Sequence, residues 1–319
     1  ADPELARARG REASEFARSQ FSWGAAANEA ARRLLALADP DPQAGNVPRG
    51  GIVQQARGTG GIQKSLSVPA CARLGHLGRA RQLWSRRDGC GAWQAVLRAL
   101  QERPFHPEAY LLLAEIARAV GAREVARRCL AYCRQIAPGY RAARKFSIPP
   151  SSGNQCPEWM ELPEPLRDPQ NPPAPRLTVC LITRDEEQFL DQCLGSVREL
   201  AHQIVVVDTG SKDRTVEIAR AHGAEVHFFE WCDDFSAARN AALEHARGDW
   251  ILMLDADEEL TEEGRLRLPE ALRQREVLAW RLPLVDVGRE AEGVSYVPRL
   301  FRNAPGLFYV GRVHEQVFS

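Results

Sequence analysis

No run of about eighteen apolar residues occurs in the 319-residue chain, so its sequence offers no membrane-spanning helix. Residues 1–16 are charged throughout with no apolar core, and do not read as a secretory signal. Eight cysteines are present, but none stands in a CxxC pair. Cys129 and Cys133 would share a helix face, yet no further ligands stand nearby. Reduced cysteines in a cytoplasmic protein are the expected reading. There is no GxGxxG and no GxxxxGK followed by Ser or Thr, which disfavours a classical dinucleotide fold and a P-loop. Net charge is absent too, with 42 Lys+Arg against 42 Asp+Glu.

What is there is a soluble composition, 44% apolar and 26% charged, long enough for two domains. The charge is unevenly spread: residues 1–150 are basic and residues 151–319 acidic. The arginines of the first half are scattered through Ala/Leu-rich helical sequence without aromatic interleaving. A solvated helical surface is expected there, and no nucleic-acid partner.

Apolar and small residues recur with helical period at Ala109, Tyr110, Leu113, Ala114 and Ala117, and again, after a break at Gly121, at Ala126, Leu130 and Cys133. Ala92, Val96 and Ala99 hold the same phase, and Pro104 and Pro138 lie 34 residues apart. That period is the one of tetratricopeptide repeats. The expectation is an all-α domain over 1–146, clearest over 92–140, with 74–84 as a decayed third piece. Either it contacts a protein partner or it is a buttress. Within it, 27–38 is expected as an amphipathic helix and the Gly/Pro/Gln-rich stretch 39–66 as a loop. Residues 147–176 hold nine prolines and are expected as an extended, stiff interdomain linker.

From 177 the texture changes. LTVCLIT (177–183), QIVVVD (203–208), EVHFFEW (225–231) and WILMLD (250–255) read as strands. Helical stretches at 186–200, 214–223 and 234–248 lie between them. Such alternation predicts a mainly parallel sheet covered on both faces, with ligands beyond the carboxyl ends of its strands. Those ends carry Thr183-Arg184-Asp185-Glu186-Glu187, Asp208 to Asp213, Asp233-Asp234 leading to Arg239-Asn240, and Asp255-Ala256-Asp257. So many carboxylates at one edge repel each other unless a divalent cation sits among them.

These motifs, with RLFRN and GRVHEQV later in the chain, resemble a family 2 glycosyltransferase of the GT-A fold. The bacterial branch that includes lipopolysaccharide-core glucosyltransferases and forms fused to tetratricopeptide repeats is the most similar. The resemblance covers about 177–319. It implies a nucleotide-sugar donor, a UDP-sugar foremost, and Mn²⁺ or Mg²⁺. The acceptor would be a glycan, a lipid-linked core or a protein, and the place the cytoplasm, with the inner membrane face as a second possibility. It implies that Thr183, Asp185, Glu187 and Asp208 hold the base, and that Asp213 and Arg239 close over base and ribose. Asp255, Asp257 and His314 would form the metal site, Asp257 as the direct ligand, Asp255 on ribose or a metal-bound water, and His314 as a third ligand or a wall beside Glu315. Asp185 departs from the Asn common in the branch. Arg299 and Arg302 are candidates for the diphosphate or plain strand-edge arginines. An inverting transfer needs one base, for which Glu315, Glu258 and Glu259 are candidates, the last two being also candidates to cap a helix over 261–274. The chain stops four residues after Glu315, where relatives continue, so a minimal or truncated enzyme is expected. The alternative is a repeat scaffold with a weak or inactive nucleotide-sugar domain. A nucleotidyltransferase would show a Gly-rich basic loop after the first strand, which is missing.

Overall fold

A computed structural model of the chain describes residues 68–149, 156–168, 170–285, 295–313 and 315–318. The stretches 27–38 and 39–66 and residue His314 lie outside the described residues. Residues 64–138 and 145–319 form one compact unit, and residues 139–144 fall to another.

The unit begins with four helices: α1 (Gly78–Ser85), α2 (Gly89–Glu102), α3 (Pro107–Ala119) and α4 (Arg123–Ile136). Local chemistry sets their ends. Asp88 caps α2 by accepting from the Gly91 amide at 2.8 Å. Pro107 opens α3, where its missing N–H costs nothing. Gly121, at φ +85°, makes the left-handed turn between α3 and α4. Packing does the rest. Val125, Ala126, Cys129, Leu130, Cys133 and Ile136 form the buried stripe of α4, each large apolar side chain contributing about 1.5–3 kcal/mol. The segment 74–84 is not a decayed third repeat. It supplies most of α1, which pairs with α2 as α3 pairs with α4, so two helix pairs, each closed by a proline, stand among the described residues.

The proline-rich stretch also differs from expectation. Its described part does not stand free as a spacer. It includes a short helix α5 (Glu164–Arg167) and lies against the helical pairs. Trp93 Nε1 donates to the Glu161 carbonyl at 2.8 Å, the Trp93 and Trp159 rings meet edge-on, and Met160 and Leu166 are buried.

After it come β1 (Leu177–Thr183), α6 (Leu190–Val197), β2 (Gln203–Asp208), α7 (Thr215–Ala221), β3 (Glu225–Phe228), α8 (Phe235–His245) and β4 (Trp250–Leu254). Then follow α9 (Glu262–Arg273), β5 (Ala279–Leu284), β6 (Ser295–Arg302), and the hairpin β7 (Phe308–Val310) with β8 (Gln316–Phe318). The main sheet runs β3-β2-β1-β4-β6-β5. The first four strands are parallel, three of them (β1, β2 and β4) as the apolar runs expected of a sheet covered on both faces, and β6 and β5 are antiparallel additions. This is the mainly parallel sheet expected of a GT-A domain. Strand order reverses between β1 and β4, and the crevice outside their carboxyl ends is where such sheets hold ligands.

Alternating residues of the strands feed two cores. Leu177, Val179 and Leu181 pack with α6, α7 and α9, while Cys180, Val205, Val207, Ile251 and Met253 pack with α8. The second core includes Cys71, with Phe105 against it, so the helical segment is built into the sheet. Arg103, 2% exposed, fastens the joint by donating to the carbonyls of Cys71 (2.9 Å) and Leu243 (3.2 Å).

Candidate active site

Two loops form one wall of the crevice, and hydrogen bonds lace them together. The Asp185 amide donates to Ser211 Oγ at 2.9 Å, and Asp185 Oδ1 accepts from the Lys212 amide at 2.7 Å. The Glu187 amide donates to Asp213 Oδ2, and Glu187 Oε2 accepts from the Arg214 amide, both at 3.0 Å. The Glu186 amide donates to Thr215 Oγ1 at 2.7 Å. Asp185 sits at φ +56°, a left-handed conformation that Asp and Asn tolerate better than most residues. Asp therefore meets the backbone demand that Asn would meet, while its carboxylate ties the second loop.

Asp208 is 2% exposed. Its Oδ1 accepts from the amides of Gly210 and Ser211 at 3.1 Å, and its Oδ2 lies near the hydroxyls of Ser211 and, at 3.5 Å, Thr183. In this arrangement Asp208 is a buried brace that shapes the loop.

The opposite wall is a chain of alternating charges. Arg239, on α8, donates through Nε to Glu315 Oε1 at 2.6 Å and through Nη2 to Asp255 Oδ1 at 2.7 Å. Arg299, on β6, donates to Asp255 Oδ2 at 2.6 Å and also to Glu258 Oε1. The order is Glu315, Arg239, Asp255, Arg299, Glu258. Three carboxylates share two guanidiniums, so the repulsion expected at this edge is answered largely from within the chain. Burial alone would raise Asp255, but Arg239 and Arg299 outweigh it and hold its carboxyl below the usual carboxylate range. Burial dominates at Glu258 and pushes it up against the pull of Arg299. Burial, with Asp257 and Asp213 near it, likewise raises Glu186.

Several expected roles change here. Asp255 has both oxygens on arginines and is not placed as a metal ligand. Arg239 belongs with Asp255 and Glu315 rather than with Asp213, which spends its carboxylate on Glu187 and Thr215. Glu258 accepts from the Asp255 amide at 3.0 Å as well as from Arg299, and braces the turn. Neither it nor Glu259 caps α9; Thr261 does, accepting from the Gly264 amide at 3.1 Å, while Glu259 accepts from Gln192. Arg302 is the clearest correction. In the antiparallel register it pairs with Trp250, at the start of β4, not at the exit. It is buried, donates to the carbonyls of Gln274, Arg275 and Val277, and stacks on the Trp250 ring at 3.9 Å. Three residues along a strand span roughly 10 Å, which separates it from Arg299 and the crevice.

Asp257 stands apart from the chain of charges. It is exposed and takes no hydrogen-bond or ion-pair partner among the described residues. No cluster of three or more His, Cys, Asp or Glu side chains arranged to hold a metal occurs among them. One free carboxylate beside a diphosphate still fits Mg²⁺ or Mn²⁺, since such ions keep waters and phosphate oxygens as most of their ligands. Two buried guanidinium nitrogens, Arg239 Nη1 and Arg299 Nε, lack a partner among the described residues.

Asn240, which the sequence places beside Arg239 without a role, is a further part of the site. Its Nδ2 donates to the Tyr309 carbonyl at 2.9 Å, and its Oδ1 accepts from the Tyr309 amide at 2.7 Å. It thereby pins the β7–β8 hairpin, whose second strand follows Glu315, to the helix that carries Arg239. Arg239 also lies over the Tyr309 ring, 5.6 Å from its centroid.

Residues 178–282 match the family model described as Glycosyl transferase family 2. The chain is 44% identical over 142 residues to a TPR repeat-containing protein of Synechococcus elongatus, covering 44% of this chain and 35% of that protein. It is 30% identical over 147 residues to the SPbeta prophage-derived glycosyltransferase SunS of Bacillus subtilis, covering 45% and 35%. It is 31% identical over 153 residues to the lipopolysaccharide core biosynthesis glycosyltransferase LpsC of Rhizobium meliloti, covering 44% and 56%. Among solved structures, S. aureus TarS (residues 1–349) aligns with 22% identity and a TM-score of 0.30, covering 40% of this chain and 47% of that one. The chain thus spans about a third of the length of the first two curated relatives.

Proposed function

From residues 178–282 being a glycosyl transferase family 2 domain, we propose that the chain transfers a sugar from a nucleotide-diphosphate sugar, a UDP-sugar foremost, to an acceptor hydroxyl with inversion. The observation that carries the reading is the division of labour at the β4 exit. Asp255 is locked between two arginines, while Asp257, two residues on, is left exposed and unpartnered.

The laced loops from Asp185 to Thr215 offer a preorganised wall for the nucleoside, with Thr183 and Asp208 bracing it from beneath. Asp257 would hold Mn²⁺ or Mg²⁺. That ion, when bound, would neutralise charge growing on the diphosphate. Arg239 Nη1 and Arg299 Nε are the buried donors for phosphate oxygens, and they act before water can reorganise. Glu315 takes the proton of the acceptor hydroxyl as its oxygen attacks the anomeric carbon and the bond to the diphosphate breaks. Its hydrogen bond from Arg239 Nε, at 2.6 Å, holds that carboxylate in place. The acceptor class, glycan, lipid-linked core or protein, and a cytoplasmic place, with the inner membrane face for a lipid-linked acceptor, belong to the same proposal.

Titration calorimetry with UDP and Mn²⁺ separates this reading from an inactive scaffold. Heat that requires the metal in the wild type and vanishes in Asp257→Ala is the expected result. No heat with UDP, GDP or dTDP overturns the donor site, and unchanged affinity in Asp257→Ala overturns the ligand assignment.

A further inference from the structure

A second cavity lies at the other end of the sheet. It has a volume of about 990 Å³. Its floor is at Asp249 and Arg302, before β4 and at the end of β6, six residues and roughly 20 Å along a strand from Asp255. Its walls come from α2 (Leu97 and Arg98), α4 (Tyr132 and Ile136), the segment after α9 (Arg275) and the proline-rich strap.

The lining is strongly cationic. Seven arginines face three carboxylates. Two of the carboxylates are already paired, Glu161 with Arg167 at 2.5 Å and Asp249 with Arg176 at 3.6 Å. Arg302 is occupied by backbone carbonyls, and Arg275 donates to Gln135 at 2.7 Å. Arg98 and Arg273 are exposed and have no hydrogen-bond or ion-pair partner among the described residues. A concave surface with surplus positive charge concentrates anions.

The form of the anion follows from how the charge is spread. The arginines come from separate elements, and no glycine lines the cavity, so no tight backbone nest for a single phosphate is present. Leu97, Tyr132, Ile136 and Leu272 supply apolar surface between the charges. The two helices that build the walls also take main-chain carbonyls of the strap outside the cavity: Trp93, on α2, donates to that of Glu161 at 2.8 Å and Arg128, on α4, to that of Arg167 at 3.0 Å.

We propose that this cavity binds an extended acidic peptide of a partner protein beside the strap. Its spaced carboxylates meet Arg98, Arg273 and Arg275, and its apolar side chains lie on Leu97, Tyr132 and Ile136. The proposal stands on the cavity alone and does not depend on the transfer reaction.

The probe is a pooled library of peptides of about twelve residues, long enough to span the cavity when extended. Library members carry Glu, Lys or neutral residues at three spaced positions. The wild-type chain is expected to enrich Glu members over Lys members, and fluorescence anisotropy of the best one to show saturable, salt-sensitive binding. Arg98→Glu with Arg273→Glu should weaken it at least about tenfold, a loss of ~1.4 kcal/mol. The milder pair Arg98→Gln and Arg273→Gln should lie between. Thermal melts of all these variants should match the wild type and report an intact fold. No preference for Glu members, equal affinity in the charge-reversed variant, or complete displacement by millimolar inorganic phosphate would each overturn the proposal, the last by marking a small-anion site.

Discussion

At the residue scale, the site is governed by how three carboxylates share two guanidiniums. Asp255 has a folded pKa below its ordinary 3.8, so its pairing stabilises the fold fully above that value. The contribution is lost as pH falls through the lower folded value. Thermal melts from acid to neutral pH should therefore show a steeper acid limb in the wild type than in Asp255→Asn, which has no such proton to take up. Coincident acid limbs would mean the arginines do not select the ionised form. Glu315 is tested by function. Glu315→Gln keeps a partner for Arg239, so donor affinity should stay unchanged while turnover falls about 10²–10⁴-fold. Retained turnover would move the base to Glu258. Asp255 and Asp257 were legible in the sequence as a pair because only Ala256 separates them. The partners of Asp255 were not, since Arg239 and Arg299 lie 16 and 44 residues away and only packing brings them together.

At the scale of elements, the strands of the parallel core were readable from their continuous apolar runs, and the helices from their period. The ends were less so: β3 stops at Phe228, three residues before the stretch 225–231 read as a strand does. Two positions show what the patterns hid. Gly248 precedes β4, and a Cβ there would lie 2.7 Å from the Thr178 amide nitrogen and 2.8 Å from the Arg176 carbonyl oxygen, both backbone atoms that cannot swing aside. Gly248→Ala should force β4 away from β1 and cost about 1–3 kcal/mol, read by denaturant melts; wild-type stability would show that the strands absorb the methyl freely. Asn240 acts across elements. Asn240→Ala leaves two buried backbone groups of Tyr309 unpaired, at about 1–3 kcal/mol each. It should also lower kcat more than it raises donor KM, because the hairpin that sets Glu315 is loosened while the nucleoside wall is untouched. Equal effects on both constants would count against a positioning role.

At the scale of the whole molecule, the repeat-like helices and the sheet share a core. Cys71 and Phe105 enter the apolar face beneath α8, Arg103 bridges to Leu243, and the Phe105 amide donates to the Asn303 carbonyl at 3.2 Å. Hydrogen exchange should accordingly show α2 and β1 opening in one cooperative step, with the same dependence on denaturant. Earlier loss of α2 protection would mean the helices are an independent domain after all. The composition shift and the prolines between 147 and 176 marked a change of texture, and they were read as a free linker. A proline-rich segment keeps its extended form whether it spans solvent or lies along a helical surface, so composition could not tell the two apart.

The sequence by itself determined the local chemistry of this protein. Apolar runs fixed which segments are buried strands, period fixed the helices, and adjacency placed Asp255 and Asp257 together at a strand exit. Tertiary structure decided the division of roles. Antiparallel pairing sent Arg299 to the crevice and Arg302 to the far end of β4, and α8 brought Arg239 between Asp255 and Glu315. Which carboxylate is neutralised and which stays free depends on charges separated by a few ångströms in space but by tens of residues in the chain. Coulomb energy follows the first distance, and a linear pattern records only the second.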